Sequence, residues 1–262
     1  MFLRAFVPWW LTGVSNWSER LSKSAVTDLS KKPQRIAGMF DAIAPRYDFL
    51  NHLLSAGIDR HWRSRAIRAL RLTGRERVLD LCTGTADLAI AARRARPPAA
   101  RVVGIDFAGA MLLIGARKIR RARLSGGIAL ARGDAMRIPV ADASVDAVTI
   151  GFGIRNVEEP EVALREVARV LKPGGRIVVL EFAIPTTPLF KAVYLAYFRH
   201  ILPRIGRAVS RHDAAYGYLP ASVGAFASPD AFMTLLRNVG FRDVSADPMA
   251  FGSVYMYTAR RG

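Results

Sequence analysis

The sequence predicts an α/β protein built on a mostly parallel, seven-stranded sheet with helices on both faces. Three observations carry that expectation. Between residues 77 and 182, short apolar runs of strand length alternate with stretches of helical periodicity, the order that builds a parallel sheet. The first run, Arg77-Val78-Leu79-Asp80-Leu81, feeds a helix through a loop of small residues, Cys82-Thr83-Gly84-Thr85. The second, Arg101-Val102-Val103-Gly104-Ile105-Asp106, ends on an acid 22 residues beyond Gly84. Such a loop presents backbone N–H groups to a ligand, and an acid at the end of the next strand suits ribose hydroxyls.

Residues 1–35 read as a mobile N-terminal arm and 36–262 as one domain, with helical cap segments over 36–72 and 187–228. Met1–Leu11 is apolar but carries Arg4 and Pro8. It falls short of the roughly 18 uninterrupted apolar residues of a membrane span, and no small-residue cleavage site follows it. It reads as a disordered tail, a start placed too early, or a segment seated at a lipid interface. Residues 39–55 begin helical, are broken by Pro45 and resume, and Asp59 is placed as the N-cap of a helix to Leu72. An element before the first strand has no position in the sheet, so it is expected to fold over the sheet's open carboxyl edge as a lid.

After the first strand a helix runs from Ala86 to Ala95, and after the second one runs from Phe107 to Arg123. Strand Ile128–Arg132 ends at Gly133-Asp134-Ala135, where Asp134 is either a ligand contact or a loop acid. Strand Val145–Ile150 opens into Gly151-Phe152-Gly153-Ile154-Arg155-Asn156, at the carboxyl end of the sheet. Helix Pro160–Leu171 breaks at Lys172-Pro173-Gly174-Gly175 before strand Arg176–Phe182. Helix Leu189–Ile205 carries Phe190, Val193, Tyr194, Tyr197, Phe198 and Ile201 at helical spacing beside several Arg and Lys. That stripe is either ordinary core or a greasy, basic lid admitting a lipid-soluble substrate. Helix Asp230–Val239 and strands Phe241–Ala246 and Gly252–Ala259, an antiparallel edge, close the chain.

With 51% hydrophobic residues the 262-residue chain can bury one sizeable core. Its net charge of +18 calls for nucleic acid, anionic lipid or a basic solvated surface. The basic residues are spread along the chain, which disfavours a single nucleic-acid groove. The lone cysteine, Cys82, excludes an internal disulfide and fits a reducing compartment. His52, His61, His200 and His212 are scattered, so no metal-ligand spacing is present.

The loop after the first strand lacks the G-x-G-x-x-G of a dinucleotide site and the lysine of a P-loop. Asp80 before it repels phosphate and suits a cation. Asp80, Gly84 and Asp106 together resemble the cofactor loop of Rossmann-like class I methyltransferases, which implies S-adenosyl-L-methionine as cofactor. Further along, Tyr47-Asp48-Phe49-Leu50-Asn51-x-x-Leu54-Ser55-x-Gly57-x-Asp59-x-x-Trp62 resembles the first signature of the ubiquinone/menaquinone biosynthesis C-methyltransferases. Arg169-Val170-Leu171-Lys172-Pro173-Gly174-Gly175-x-Ile177-x-x-Leu180-Glu181 resembles the second, and Phe152–Asn156 and Leu202–Gly206 are similar to further family stretches. The likeness spans about Lys31 to Arg260.

This resemblance implies methyl transfer from S-adenosylmethionine to a ring carbon of a polyprenylated hydroquinol, with demethylmenaquinol to menaquinol the favoured conversion. It implies cofactor contacts at Thr85, Asp106, Asp134 and Ala135, beside Asp80, Gly84 and Gly151. Arg155, with Asn156 and Tyr47, is expected to stabilise the phenolate that activates the ring carbon. Asp48 and His61 are second choices as proton acceptors, or structural groups. The implied setting is cytoplasmic, peripheral to an anionic membrane at the inner face of the plasma membrane, with a homodimer or a quinone-biosynthesis complex open. Three departures stand out: the glycine-poor loop, Gly151 where a serine is usual, and Ala183 where a serine is usual. Two other readings remain, a methyltransferase of a small aromatic or an RNA, and a non-catalytic partner in quinone biosynthesis.

Overall fold

Strands that lie inside a parallel sheet are apolar on both faces, and the runs at 77–81, 101–106 and 145–151 behave this way. A computed structural model describes residues 30–55, 57–197 and 213–262. In it β1 (Arg77–Leu81), β2 (Arg101–Asp106), β3 (Ile128–Arg132), β4 (Val145–Gly151) and β5 (Leu171–Phe182) run parallel, and β7 (Val254–Arg261) pairs antiparallel with both β5 and β6 (Phe241–Met249). The sheet order is β3-β2-β1-β4-β5-β7-β6. The strand order reverses between β1 and β4, which opens a crevice at their carboxyl ends.

Alternation along each strand builds two cores. Val78, Ala147, Val178 and Leu180 face one side, with Trp62 and Ile67 of α2 (Asp59–Ala69) and Leu88 and Ala89 of α3 (Asp87–Arg94). Leu79, Leu81, Val148 and Ile150 face the other, with Leu164 and Val167 of α5 (Pro160–Val170) and Phe232 and Leu236 of α8 (Pro229–Asn238). α4 (Gly109–Arg121) joins β2 to β3.

Several expected boundaries shift. α1 runs unbroken from Pro33 to Leu54, starting inside the expected arm and continuing through Pro45. Pro45 is exposed, and its lost backbone bond is outweighed by packing of Phe40, Ile43, Ala44 and Tyr47 against Ala108, Met111 and Ile114. α2 ends at Ala69, and Asp59 is its first residue rather than its cap, with a carboxylate that accepts from Ser55 at 3.0 Å and pairs with Arg63 at 2.7 Å. α5 ends at Val170, and β5 starts at once because Leu171 pairs with Val145 ahead of the Pro-Gly-Gly break. β6 extends to Met249, and its Pro248 is tolerated because β6 is an edge strand. α6 (Pro188–Ala196) and α7 (Asp213–Ala225) lie in the second cap segment. The expectations for the N-terminal tail, for Phe198 and Ile201, and for Leu202–Gly206 lie outside the described residues.

α1 is tied to the sheet domain by charge as well as by packing. Asp41 Oδ1 accepts the Ala110 N–H at 2.8 Å, serving a bare donor in the first turn of α4. Lys118 of α4 bridges Asp48 of α1, at 2.7 Å, and Asp87 of α3.

Asp80 has a different place from the one expected of it. It is fully buried, with Oδ2 accepting from the Thr83 hydroxyl at 2.5 Å and the Ala89 N–H at 3.1 Å, and Oδ1 accepting from the Thr149 hydroxyl at 2.7 Å. It therefore braces the loop and the first turn of α3 against β4. Burial pushes its carboxyl up from 3.8 to about 6, against three hydrogen bonds that favour the charged form. With the folded pKa above the unfolded one, the stability this group contributes is complete below pH 3.8 and is lost as pH rises through about 6. Denaturation curves of the wild type and Asp80→Asn between pH 4 and 8 should diverge. The wild type should lose on the order of 3 kcal/mol relative to the variant over that window.

Candidate active site

The loop leaving β1 turns with three left-handed residues, of which one is a glycine: Cys82 (φ 55°), Gly84 (φ 54°) and Ala86 (φ 67°). A non-glycine residue in that region costs about 1 kcal/mol or more, and such strain concentrates at functional sites. The bracing by Asp80 holds the loop there. Gly84 then donates its N–H to Asp106 Oδ2 at 2.8 Å, while Oδ1 of the same carboxylate accepts from Ala108 at 2.8 Å. One acid thus links the loops after β1 and β2, with burial raising its pKa.

Around this carboxylate is a cleft of about 780 Å³ at the carboxyl edge of the sheet. Of the residues predicted to form the site, Gly84, Asp106, Asp134, Ala135, Gly151, Asn156 and Tyr47 line it. Asp80 and Thr85 do not. The Thr85 hydroxyl instead donates to Asp48 at 2.5 Å and accepts from Lys118 at 3.0 Å, in the network that holds α1. At Gly151, where a serine is usual, a Cβ would stand 2.6 Å from Leu88 Cδ1 and would require that side chain to shift. The charged lining residues are Asp106, Asp134 and Glu158 against Lys31, a balance that suits a cationic ligand without phosphate.

A second cavity, of about 1680 Å³, shares Phe40, Tyr47 and Phe152 with the first. Its walls are aromatic and aliphatic, and its cation is Arg155 with Arg63 at the margin. The stripe of α6 faces this cavity through Phe190, Val193, Tyr194 and Tyr197, and α6 contributes no buried residue to the core. The described part of the stripe thus faces this cavity rather than the sheet core. Arg155 sits on a 3₁₀ turn (Ile154–Asn156) and pairs with the fully buried Glu181 at 2.7 Å. Its guanidinium also donates to the Phe152 carbonyl and lies 5.4 Å from the centre of the Phe182 ring. Asn156 Oδ1 is buried with no hydrogen-bond partner among the described residues, which leaves an acceptor for a ligand at the first cleft. Burial raises the Tyr47 phenol, so it stays neutral.

His61 is exposed and lines neither cavity, and Asp48 is engaged with Thr85 and Lys118. Sequence reasoning missed Lys31, Phe107 and Met111 at the first cleft and Trp62, Phe182 and Tyr218 at the second. Phe107 directly follows Asp106 and was within reach of the strand-end rule. Lys31 and Tyr218 come from segments with no sheet position, so only the tertiary fold brings them in.

Residues 28–261 match the ubiE/COQ5 methyltransferase family. The chain is 45% identical to the ubiquinone/menaquinone biosynthesis C-methyltransferase UbiE of Geobacter sulfurreducens, over 89% of this chain and 91% of that protein. It is 46% identical to the demethylmenaquinone methyltransferase of Deinococcus radiodurans, over 84% of this chain and 90% of that one. Among solved structures it resembles an S-adenosylmethionine-dependent methyltransferase of Thermotoga maritima, with a TM-score of 0.57 and 18% identity over 86% of this chain and all of that one. The [4+2]-cyclase SpnF is similar too, with a TM-score of 0.58 and 22% identity over 88% and 96%, so the fold is shared by proteins of different chemistry. With a family model matched over residues 28–261 and relatives 45% and 46% identical over most of both chains, the chain belongs to the ubiE/COQ5 methyltransferase family.

Proposed function

We propose that this protein transfers the methyl group of S-adenosylmethionine to a ring carbon of a polyprenylated hydroquinol, with demethylmenaquinol as the acceptor. The observation that carries this reading is a carboxylate-lined cleft that shares an aromatic wall with a larger apolar cavity holding a buried arginine. Names carried by relatives at this identity support it. The cleft's acidic lining fits a cofactor with a ribose and positive charges. When bound, S-adenosylmethionine supplies an electrophilic methyl group on a sulfonium, so the chain's own task is alignment and charge control.

Asp106 would take the ribose hydroxyls with the lone pairs that Gly84 and Ala108 leave open, and Asp134 with Ala135 would border the adenine. Phe40, Tyr47 and Phe152 stand between the donor and acceptor spaces and exclude water from the gap. A carbon nucleophile needs electron density from a ring oxyanion, and a phenol near pKa ~10 needs help to supply one. Arg155 faces the acceptor cavity with its charge held by Glu181, so it stabilises a phenolate without reorganising. It is not the base, because a guanidinium keeps its proton. Tyr47, which lines both spaces, offers a further polar contact there, while Asn156 borders the cofactor cleft.

We also infer peripheral contact with an anionic membrane, as a lipid-soluble acceptor requires. Among the described residues no helix is long and apolar enough to cross one. Ile58 and Val193 line the apolar cavity yet are exposed, and exposed Phe251 stacks on the cavity residue Phe190 at 4.2 Å. Exposed Phe49, Leu53 and Leu189 lie on the same helices as cavity residues, and the net charge of +18 favours acidic headgroups.

Three outcomes check these statements. Asp106→Ala should weaken cofactor binding at least tenfold by calorimetry. Arg155→Lys, which keeps a cation beside Glu181, should lower kcat about 10²-fold with cofactor affinity unchanged; wild-type turnover in this variant would take Arg155 out of the mechanism. In flotation with vesicles containing phosphatidylglycerol, the double variant Leu189→Ser, Phe251→Ser should bind several-fold more weakly than the wild type, and equal binding would refute the membrane face.

A further inference from the structure

We propose that Tyr218 is a substrate-binding residue whose phenolic hydroxyl donates a hydrogen bond to a ring oxygen of the acceptor. This rests on the function proposed above and deepens it. Tyr218 lies on α7, is 3% exposed, and lines the larger cavity. Its hydroxyl oxygen is shut off from solvent and has no hydrogen-bond partner among the described residues. Buried hydroxyls nearly always find a partner, and one left alone destabilises the fold.

The surroundings say what that partner would be. Ser222, one helical turn further along α7, accepts from Arg155 Nε at 3.4 Å and donates to the Leu219 carbonyl at 3.0 Å. Tyr218 therefore stands on the helix that helps hold the cation of the acceptor cavity. The Arg35 guanidinium lies over the Tyr218 ring, 5.9 Å from its centre. Burial pushes the Tyr218 phenol up, so it keeps its proton and remains a donor. A prenylated hydroquinol is apolar except for two oxygens across its ring. Arg155 serves the one that must carry charge, and a neutral donor suits an oxygen that must not. A hydroxyl that lacks a partner among the described residues and meets one in the substrate lowers the stability of the free protein and gives it discrimination in return.

The test is Tyr218→Phe, which keeps the ring and removes the hydroxyl. KM for a prenylated demethylmenaquinol should rise about tenfold, the worth of one lost hydrogen bond. The Tm should stay equal or increase, since an unsatisfied buried group has gone, and calorimetric affinity for S-adenosylmethionine should not change. A hydroxyl that merely supports the fold would behave oppositely. An unchanged KM, or a raised KM that comes only with a lower Tm and weaker cofactor binding, overturns the inference. Wild-type turnover measured alongside separates the two levels. Its absence sinks the proposed function and this inference with it, whereas wild-type turnover beside an unchanged KM in the variant sinks the role of Tyr218 alone.

Discussion

A carboxylate sealed inside the sheet sets the shape of everything at its open edge. Asp80 takes a hydroxyl from the loop after β1, a hydroxyl from the neighbouring strand and a backbone N–H from the helix that follows. Those three contacts hold Cys82 and Ala86 in a backbone conformation that glycine would adopt freely. Only with the loop in that path does the Gly84 N–H meet Asp106, and only then are the ends of β1 and β2 joined. A loop with few glycines thus follows a glycine-like course because a buried acid directs it.

The second constraint is the ion pair of Arg155 and Glu181. A guanidinium among aromatic walls would carry a heavy desolvation penalty if alone, and a fully buried partner makes the charge tolerable. Glu181 also accepts the Arg155 and Phe182 backbone N–H groups, at 3.2 and 2.9 Å, so one side chain fixes both the turn and the charge it presents. Orientation of this kind is what electrostatic catalysis needs, since the dipoles are in place before charge develops.

The strands were legible in the sequence to the residue for β1, β2 and β3, because each is an apolar run bounded by turn formers. The convergence of Gly84, Asp106, Asp134 and Ala135 was legible for the same reason, as all four lie at or just past strand ends. Asp80 was not. An acid ahead of a loop looks the same in one dimension whether it points at a ligand or back at the chain. Pro45 misled because its effect on a helix is local, while the packing of α1 on α4 that outweighs it comes from residues more than sixty positions away. The unity of the α6 stripe with α1 and α2 around one cavity likewise needed three dimensions.

Two spaces meeting at three aromatic side chains divide the molecule's freedom to change. Phe40, Tyr47 and Phe152 touch both, so replacing any of them disturbs the donor and the acceptor together. Phe190, Val193 and Leu219 line the larger cavity and not the first cleft. On the proposed assignment of the two spaces, a lineage exploring new ring sizes or tail lengths can vary that wall while the first cleft stays intact, which gives descendants a route to altered acceptors.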